Sequence, residues 1–248
     1  MCCFSGVIER VSATSIFARR FGREQLLVYS MTLDTPSEVA MILPLPVARS
    51  APEVRFLDLE HYPEFFLDLA RCFPVPISRA AFQSFGAPQP AAYLPVQKVG
   101  AFDASFVPTV ADFARLDPRF ALDTSVWRKL PAYTDYGFAV FQLAAGKAEI
   151  HPMALTFTSR DEQQLFFPTV HIHDRSVPRR AKFDHSLYVQ ASAASSRDWE
   201  QGSVLPREVM KLDKLGTPLG SLIEPSEPVL RRQIRETRAN EDIWISLG

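Results

Sequence analysis

Alternation of apolar and polar positions dominates the first part of the chain. Residues 7–18 carry partial alternation through Val11 and Ser15-Ile16-Phe17, and residues 25–33 resume it with Leu26-Leu27-Val28-Tyr29. Arg20-Phe21-Gly22-Arg23-Glu24 lies between them and supplies turn residues, so the pattern predicts an antiparallel hairpin. After a break at Pro36-Ser37-Glu38, Val39-Ala40-Met41-Ile42-Leu43 predicts a third, strongly apolar strand. It runs into Pro44-Leu45-Pro46, which places its end at a sheet edge, because proline has no N–H to give a ladder.

The period then changes. Leu59, Phe65-Phe66, Leu69 and Cys72-Phe73 recur at helical spacing, predicting a helix over 58–73 that Pro74 ends. Cys72 belongs to its apolar face, and His61 reads as a cap or surface residue. Residues 74–95 hold five prolines and predict a long loop, a lid or an internal boundary in an otherwise single domain spanning 1–248. A strand is expected over 93–102 and short helices over 109–116 and 123–130. Residues 136–143 form the clearest strand pattern, with 149–158 as the expected antiparallel partner across Ala145-Gly146-Lys147. Pro152 places the start of that partner at an edge. Residues 165–173 and 183–190 read as further strands, and 191–203 as a loop.

Ser226-Glu227-Pro228 has the hydroxyl cap and early proline of a helix start, so a helix is expected through 242, docked by Leu230 and Ile234. The apolar tail Ile243-Trp244-Ile245 is expected to add a short strand or pack on the body. This succession predicts an α+β fold, with mainly antiparallel or mixed sheet, a few packing helices and long proline-rich loops.

Composition changes the picture in few places. A length of 248 residues with 19 Phe and 20 Pro fits a substantial aromatic core with rigid connections. A formal net charge of -1 gives no general electrostatic case for a nucleic-acid partner. Arg19-Arg20 and Pro178-Arg179-Arg180 are short and read as solvated loop charge. Three cysteines do not make a disulfide scaffold, so a reducing, cytoplasmic location is the expectation. No apolar run reaches the length of a transmembrane helix.

The residues with chemical promise lie in two groups. Cys2 and Cys3 are adjacent near the start, and four of the five histidines, His151, His171, His173 and His185, fall in one part of the second half. In a strand, His171 and His173 leave the same face. With His151 or His185 on a neighbouring strand they would supply three nitrogen donors, and Cys2 or Cys3 a thiolate. Zinc favours such a set and can keep a position open for water. Asp174 or Asp184 would serve as a further ligand or orient an imidazole.

The beginning also permits another chemistry. Removal of Met1 would leave Cys2 with a thiol and an α-amine, and the amine, with an ordinary pKa of about 7.7–8.0, can act as base for its own thiol. In this respect the beginning resembles the N-terminal-nucleophile cysteine hydrolases, and Ile16-Phe17-Ala18-Arg19 is similar to the early strand of the bile-salt and penicillin-V acylase group. That resemblance implies Cys2 as nucleophile and Arg19 as a catalytic arginine. It departs from the group at Phe21, where an aspartate is expected near the arginine. The order Cys2-Cys3-Phe4, then Glu38 to Pro46, then Leu130-Pro131-Ala132-Tyr133-Thr134 resembles an uncharacterised bacterial family with an N-terminal cysteine pair. This second resemblance implies that the cysteines belong to the domain, and it brings no activity.

The leading expectation is thus a metal-binding protein, or a metal-dependent hydrolase, with a Cys/His site and zinc favoured, acting on a small molecule or peptide. Two alternatives stand beside it: an N-terminal cysteine amidohydrolase, and a non-enzymatic interaction module using Pro44, Pro46, the 74–95 loop and aromatic surface.

Overall fold

A computed structural model of the chain describes residues 3–50, 52–74, 97–99, 102–122, 124–172, 176–191, 198–215 and 223–247. Two sheets pack face to face. The smaller holds β1 (Cys3–Phe4), β4 (Val39–Leu45), β6 (Gln97–Val99), β7 (Phe102–Val107) and β8 (Gly137–Leu143), in the order β1-β4-β8-β7-β6. The larger holds β2 (Arg10–Phe21), β3 (Glu24–Thr35), β5 (Val54–Leu57), β9 (Gly146–Thr158), β12 (His185–Gln190), β13 (Glu200–Gln201) and β14 (Leu230–Ile234). Its order is β13-β14-β12-β2-β3-β9-β5, antiparallel throughout except where β12 meets β2. Two short ladders complete the sheet structure: β10 (Gln164–Phe167) with β16 (Ile243–Ser246), and β11 (Arg180–Lys182) with β15 (Thr237–Ala239).

Alternation along the strands sorts side chains into three apolar layers. Between the sheets lie Ile16, Ala18, Leu27, Tyr29, Met41, Leu43, Phe141 and Leu155. Their strand neighbours face outward. Ala40, Ile42, Phe138 and Val140 are covered by Phe113, Trp127 and Tyr133. Phe17, Leu26, Val28 and Ala154 are covered by Tyr62, Phe65 and Leu69. Both sheets are therefore buried on both faces, which explains why their strands read as long apolar runs with only partial alternation.

The fold class is α+β, dominated by antiparallel and mixed sheet with little helix. The first hairpin forms as expected, turning at Gly22 (φ 54°) between the paired Phe21 and Glu24. Pro44 falls within β4, past the point where β1 stops flanking it at Met41 and Ile42. Pro152 likewise precedes the stretch of β9 that β5 joins, which begins at Ala154. Each proline thus sits where one side of its strand has no ladder to lose.

Several expectations are corrected. Residues 136–143 and 149–158 do form β8 and β9, but they belong to different sheets. β8 pairs with β4 and β7, and β9 with β3 and β5. Gly146 (φ 116°) lies at the crossing between them. The helix expected over 58–73 is confined to α1 (Phe65–Ala70). The helix start over 109–116 is a 3-10 helix, Val110–Arg115, and α2 (Thr124–Trp127) follows. The expected C-terminal helix is absent: residues 226–242 supply β14 and β15, whose Leu230 and Ile234 enter the inter-sheet core. Most of the 74–95 loop lies outside the described residues.

Candidate functional site

The chain's start is built into the body. Cys3 and Phe4 pair antiparallel with Ile42 and Met41 on one side. On the other side Cys3 forms a parallel bridge with Ile172, and the Phe4 N–H donates to the Ile172 carbonyl at 3.2 Å. Cys3 is fully buried among the residues outside the smaller sheet, whereas Phe4 lies in the inter-sheet core. Cys3 and the His171 segment are therefore neighbours, although they are 168 positions apart in the sequence.

His171 does not lie in a ladder as expected, because β10 ends at Phe167. Side chains take the place of the missing strand. Asn240 Oδ1 accepts from the His171 N–H at 2.7 Å, and Asn240 Nδ2 donates to the His171 carbonyl at 2.9 Å. Asp242 Oδ1 accepts from the Thr169 and Val170 N–H groups at 2.7 and 3.0 Å. Its other oxygen accepts from the Tyr133 hydroxyl. Burial outweighs these donors and pushes the Asp242 carboxyl up to about 6. Burial, with Asp242 beside it, raises Tyr133.

The His171 ring packs against Phe183 at 4.5 Å and against His185 at 5.4 Å between centroids, with 29° between the two imidazoles. Both histidines are buried. Burial holds His185 far below the ordinary histidine value, and His171 acts in the same direction, so its imidazole is neutral at physiological pH. Asp184 is not directed at this pair. Its carboxylate accepts from the Ala13 N–H at 2.9 Å and pairs with Arg235 at 3.0 Å.

The remaining site residues lie elsewhere. His151 shares a transverse row with His185, but β2 and β3 intervene, a separation of three strand spacings or about 14 Å. It packs on Phe102 at 4.1 Å, and burial lowers its pKa. Arg19 is paired with Gln190, five residues along β12 from His185, or about 17 Å. Its guanidinium reaches Glu224 at 3.8 Å and lies over Phe21 at 4.7 Å. Cys2, His173 and Asp174 lie outside the described residues. Among the described residues no three His, Cys, Asp or Glu side chains converge as a metal cluster. The full set of four histidines expected from sequence is thus not gathered: His171 and His185 meet, and His151 does not join them.

Asn240 and Asp242 were missed by sequence reasoning because residues 226–242 read as a solvated helix. A usable signal existed: the short polar run Asn240-Glu241-Asp242 directly precedes the apolar Ile243-Trp244-Ile245.

No family model matches the sequence, and no curated protein matches it. Among solved structures the chain is similar to baculovirus P35, at 12% identity and a TM-score of 0.45, over 97% of this chain and 99% of that one. It is also similar to a chain of the caspase-8/P35 complex, at 11% identity and a TM-score of 0.43, over 95% and 96%. Likeness at this distance assigns neither a family nor an activity. No helix among the described residues is long and apolar enough to cross a membrane.

Proposed function

We propose that the protein binds a transition metal, zinc foremost, through His171, His185 and a thiol of the Cys2-Cys3 pair. The observation that supports this reading is the bridge of Cys3 to Ile172, the residue that follows His171, whose ring stacks on His185. Neutral imidazoles keep a lone pair for a metal, and burial favours that neutral form in His185. Thiolate and imidazole together suit zinc, at Zn–N distances of about 2.0–2.1 Å and Zn–S of about 2.3 Å. Asn240 acts as a supporting residue by fixing the backbone that carries His171. An open position on such an ion would activate water, so hydrolysis is the reaction class that this site would serve.

Elemental analysis of gently purified protein, followed by zinc titration against a chromophoric chelator, tests the proposal. One zinc per chain is expected. Changing a residue that only orients a metal ligand costs about 10–100-fold in affinity, so His185→Phe or Cys2→Ser should cost at least that much, while His151→Phe leaves affinity intact. Unchanged affinity in the first two variants would overturn the site. Metal-free protein that lacks Met1 and is alkylated at Cys2 by an electrophile would point instead to the N-terminal cysteine hydrolase.

A further inference from the structure

The ladder between β12 and β14 continues past the end of the larger sheet. β12 pairs with β14 from His185↔Ile234 to Val189↔Leu230, and β11 pairs with β15 from Arg180↔Ala239 to Lys182↔Thr237. Both stretches share one register, and between them the Phe183 N–H donates to the Glu236 carbonyl at 2.9 Å. β2 joins this ladder only from Thr14, opposite His185. β11 and β15 therefore form a two-stranded arm beyond the last strand pairing of the sheet.

The arm and its root are strongly basic. Residues 179–184 and 231–238 hold Arg179, Arg180, Lys182, Arg231, Arg232, Arg235 and Arg238 against Asp184 and Glu236, in a chain of net charge -1. Side chains alternate between faces along a ladder. Ala181 and Arg238 share the inner face, with Arg238 over Phe183 at 5.6 Å. Arg180, Lys182, Arg235 and Arg231 fall on the outer face. Arg231 is held by Glu200 at 2.6 Å and Arg235 by Asp184 at 3.0 Å. Arg180 and Lys182 are exposed and have no ion pair among the described residues.

We infer that the outer face of this arm docks an extended acidic segment of a partner protein. Cations two residues apart on a strand stand about 6.6–6.8 Å apart. An extended polypeptide with an acidic residue at every second position presents carboxylates at that same interval, so the two rows can pair in register. Duplex nucleic acid instead carries about one charge per 1.7 Å of axis, a far denser row than cations about 6.6–6.8 Å apart can match. The stripe therefore fits an acidic strand better than a nucleic acid. His185 is on the opposite face of the same ladder, so this inference does not rest on the metal reading.

Fluorescence anisotropy of a labelled peptide of alternating Glu and Thr, titrated with the full chain at low and physiological salt, tests the inference. Saturable, salt-sensitive binding is expected. The double variant Arg180→Glu/Lys182→Glu should weaken it roughly tenfold or more, as two exposed attractions become repulsions, with no change in melting temperature. Lys129→Glu, on a separate exposed turn, should leave binding unchanged. Absence of saturable binding, equal binding by the double variant, or tighter binding of single-stranded DNA of equal charge would overturn it.

Discussion

Ala13 is the one non-glycine residue with positive φ among the described residues, at 52°. It occupies the irregularity between Ser12 and Ser15 where β2 slips against β3, and Asp184 Oδ2 accepts its N–H. A left-handed conformation costs an L-residue roughly 1–2 kcal/mol, partly offset by the greater unfolded-state freedom of glycine. Ala13→Gly should therefore raise the urea midpoint by the equivalent of about 0.5–1 kcal/mol, whereas Ala13→Val should lower it. Asp242 gives a second residue-level expectation. Its folded value of about 6 exceeds the ordinary carboxylate value of about 3.9. A carboxyl raised on folding holds its proton more tightly in the native state, so its contribution is fully present below about pH 4 and is lost as pH rises through about 6. Asp242→Asn resembles the protonated form. It should match the parent near pH 4 and exceed it at pH 7 by on the order of 2–3 kcal/mol. His185, whose lowered value makes stability fall as pH drops below about 6.5, acts equally in both proteins and cancels from that difference. A variant less stable than the parent at pH 7, in denaturant titrations at each pH, would show that the donors to Asp242 outweigh its burial. Neither residue announces itself in the sequence: Ala13 looks like an ordinary strand alanine, and Asp242 like the end of a charged helix.

At the level of elements, side-chain amides take the place of absent strands. Gln25 on β3 is fully buried; its Nε2 donates to the Phe166 carbonyl at 2.6 Å, and its Oε1 accepts the Phe166 N–H at 3.0 Å. Gln190 on β12 donates to the Glu224 and Glu227 carbonyls and accepts the Glu224 N–H. Asn240 does the same for His171. Each amide copies the donor and acceptor of one peptide unit, so it ties a loop or short strand to the sheet structure. Gln25→Met keeps the volume but strands a buried N–H and carbonyl, each worth about 1–3 kcal/mol. It should cost roughly 2–5 kcal/mol in guanidinium unfolding and speed exchange of the Phe166 amide. Long strands were legible in the chain because apolar positions recur along them between clear turn signals: β2, β3, β4 and β8 all appear where the pattern puts them. The C-terminal segment was not, since Ser226-Glu227-Pro228 carries helix-start chemistry that pairing with β12 and β11 overrides. Sheet membership was not legible either. Local alternation cannot distinguish a hairpin from two successive strands that cross between sheets, as β8 and β9 do.

For the whole molecule, the start of the chain and its C-terminal tail join regions distant in sequence. β1 lies between β4 and Ile172, and β16 ties the tail to β10, whose Phe166 is gripped by Gln25 of the larger sheet. The meeting of Cys3 with the His171 segment follows from this closure, and the sequence offered only the two clusters, since nothing local encodes a contact over such a span. Phe4 is the central side chain in the closure, fully buried between the sheets. Removing an aromatic ring from such a position costs about 3–5 kcal/mol, so Phe4→Ala should lose a substantial share of an ordinary margin of about 5–15 kcal/mol. The distribution of the loss is more informative than its size. Trp127 and Trp244 pack outside the smaller sheet and Trp199 against the layer between the sheets, whereas backbone circular dichroism is weighted toward the longer strands of the larger one. Because both sheets share the layer that Phe4 enters, tryptophan fluorescence and circular dichroism should shift together to the same lower midpoint in Phe4→Ala. Separation of the two transitions, with fluorescence melting first, would mean that the smaller sheet and the chain's start unfold as a unit of their own, and that the proposed Cys/His site can open while the larger sheet stays folded.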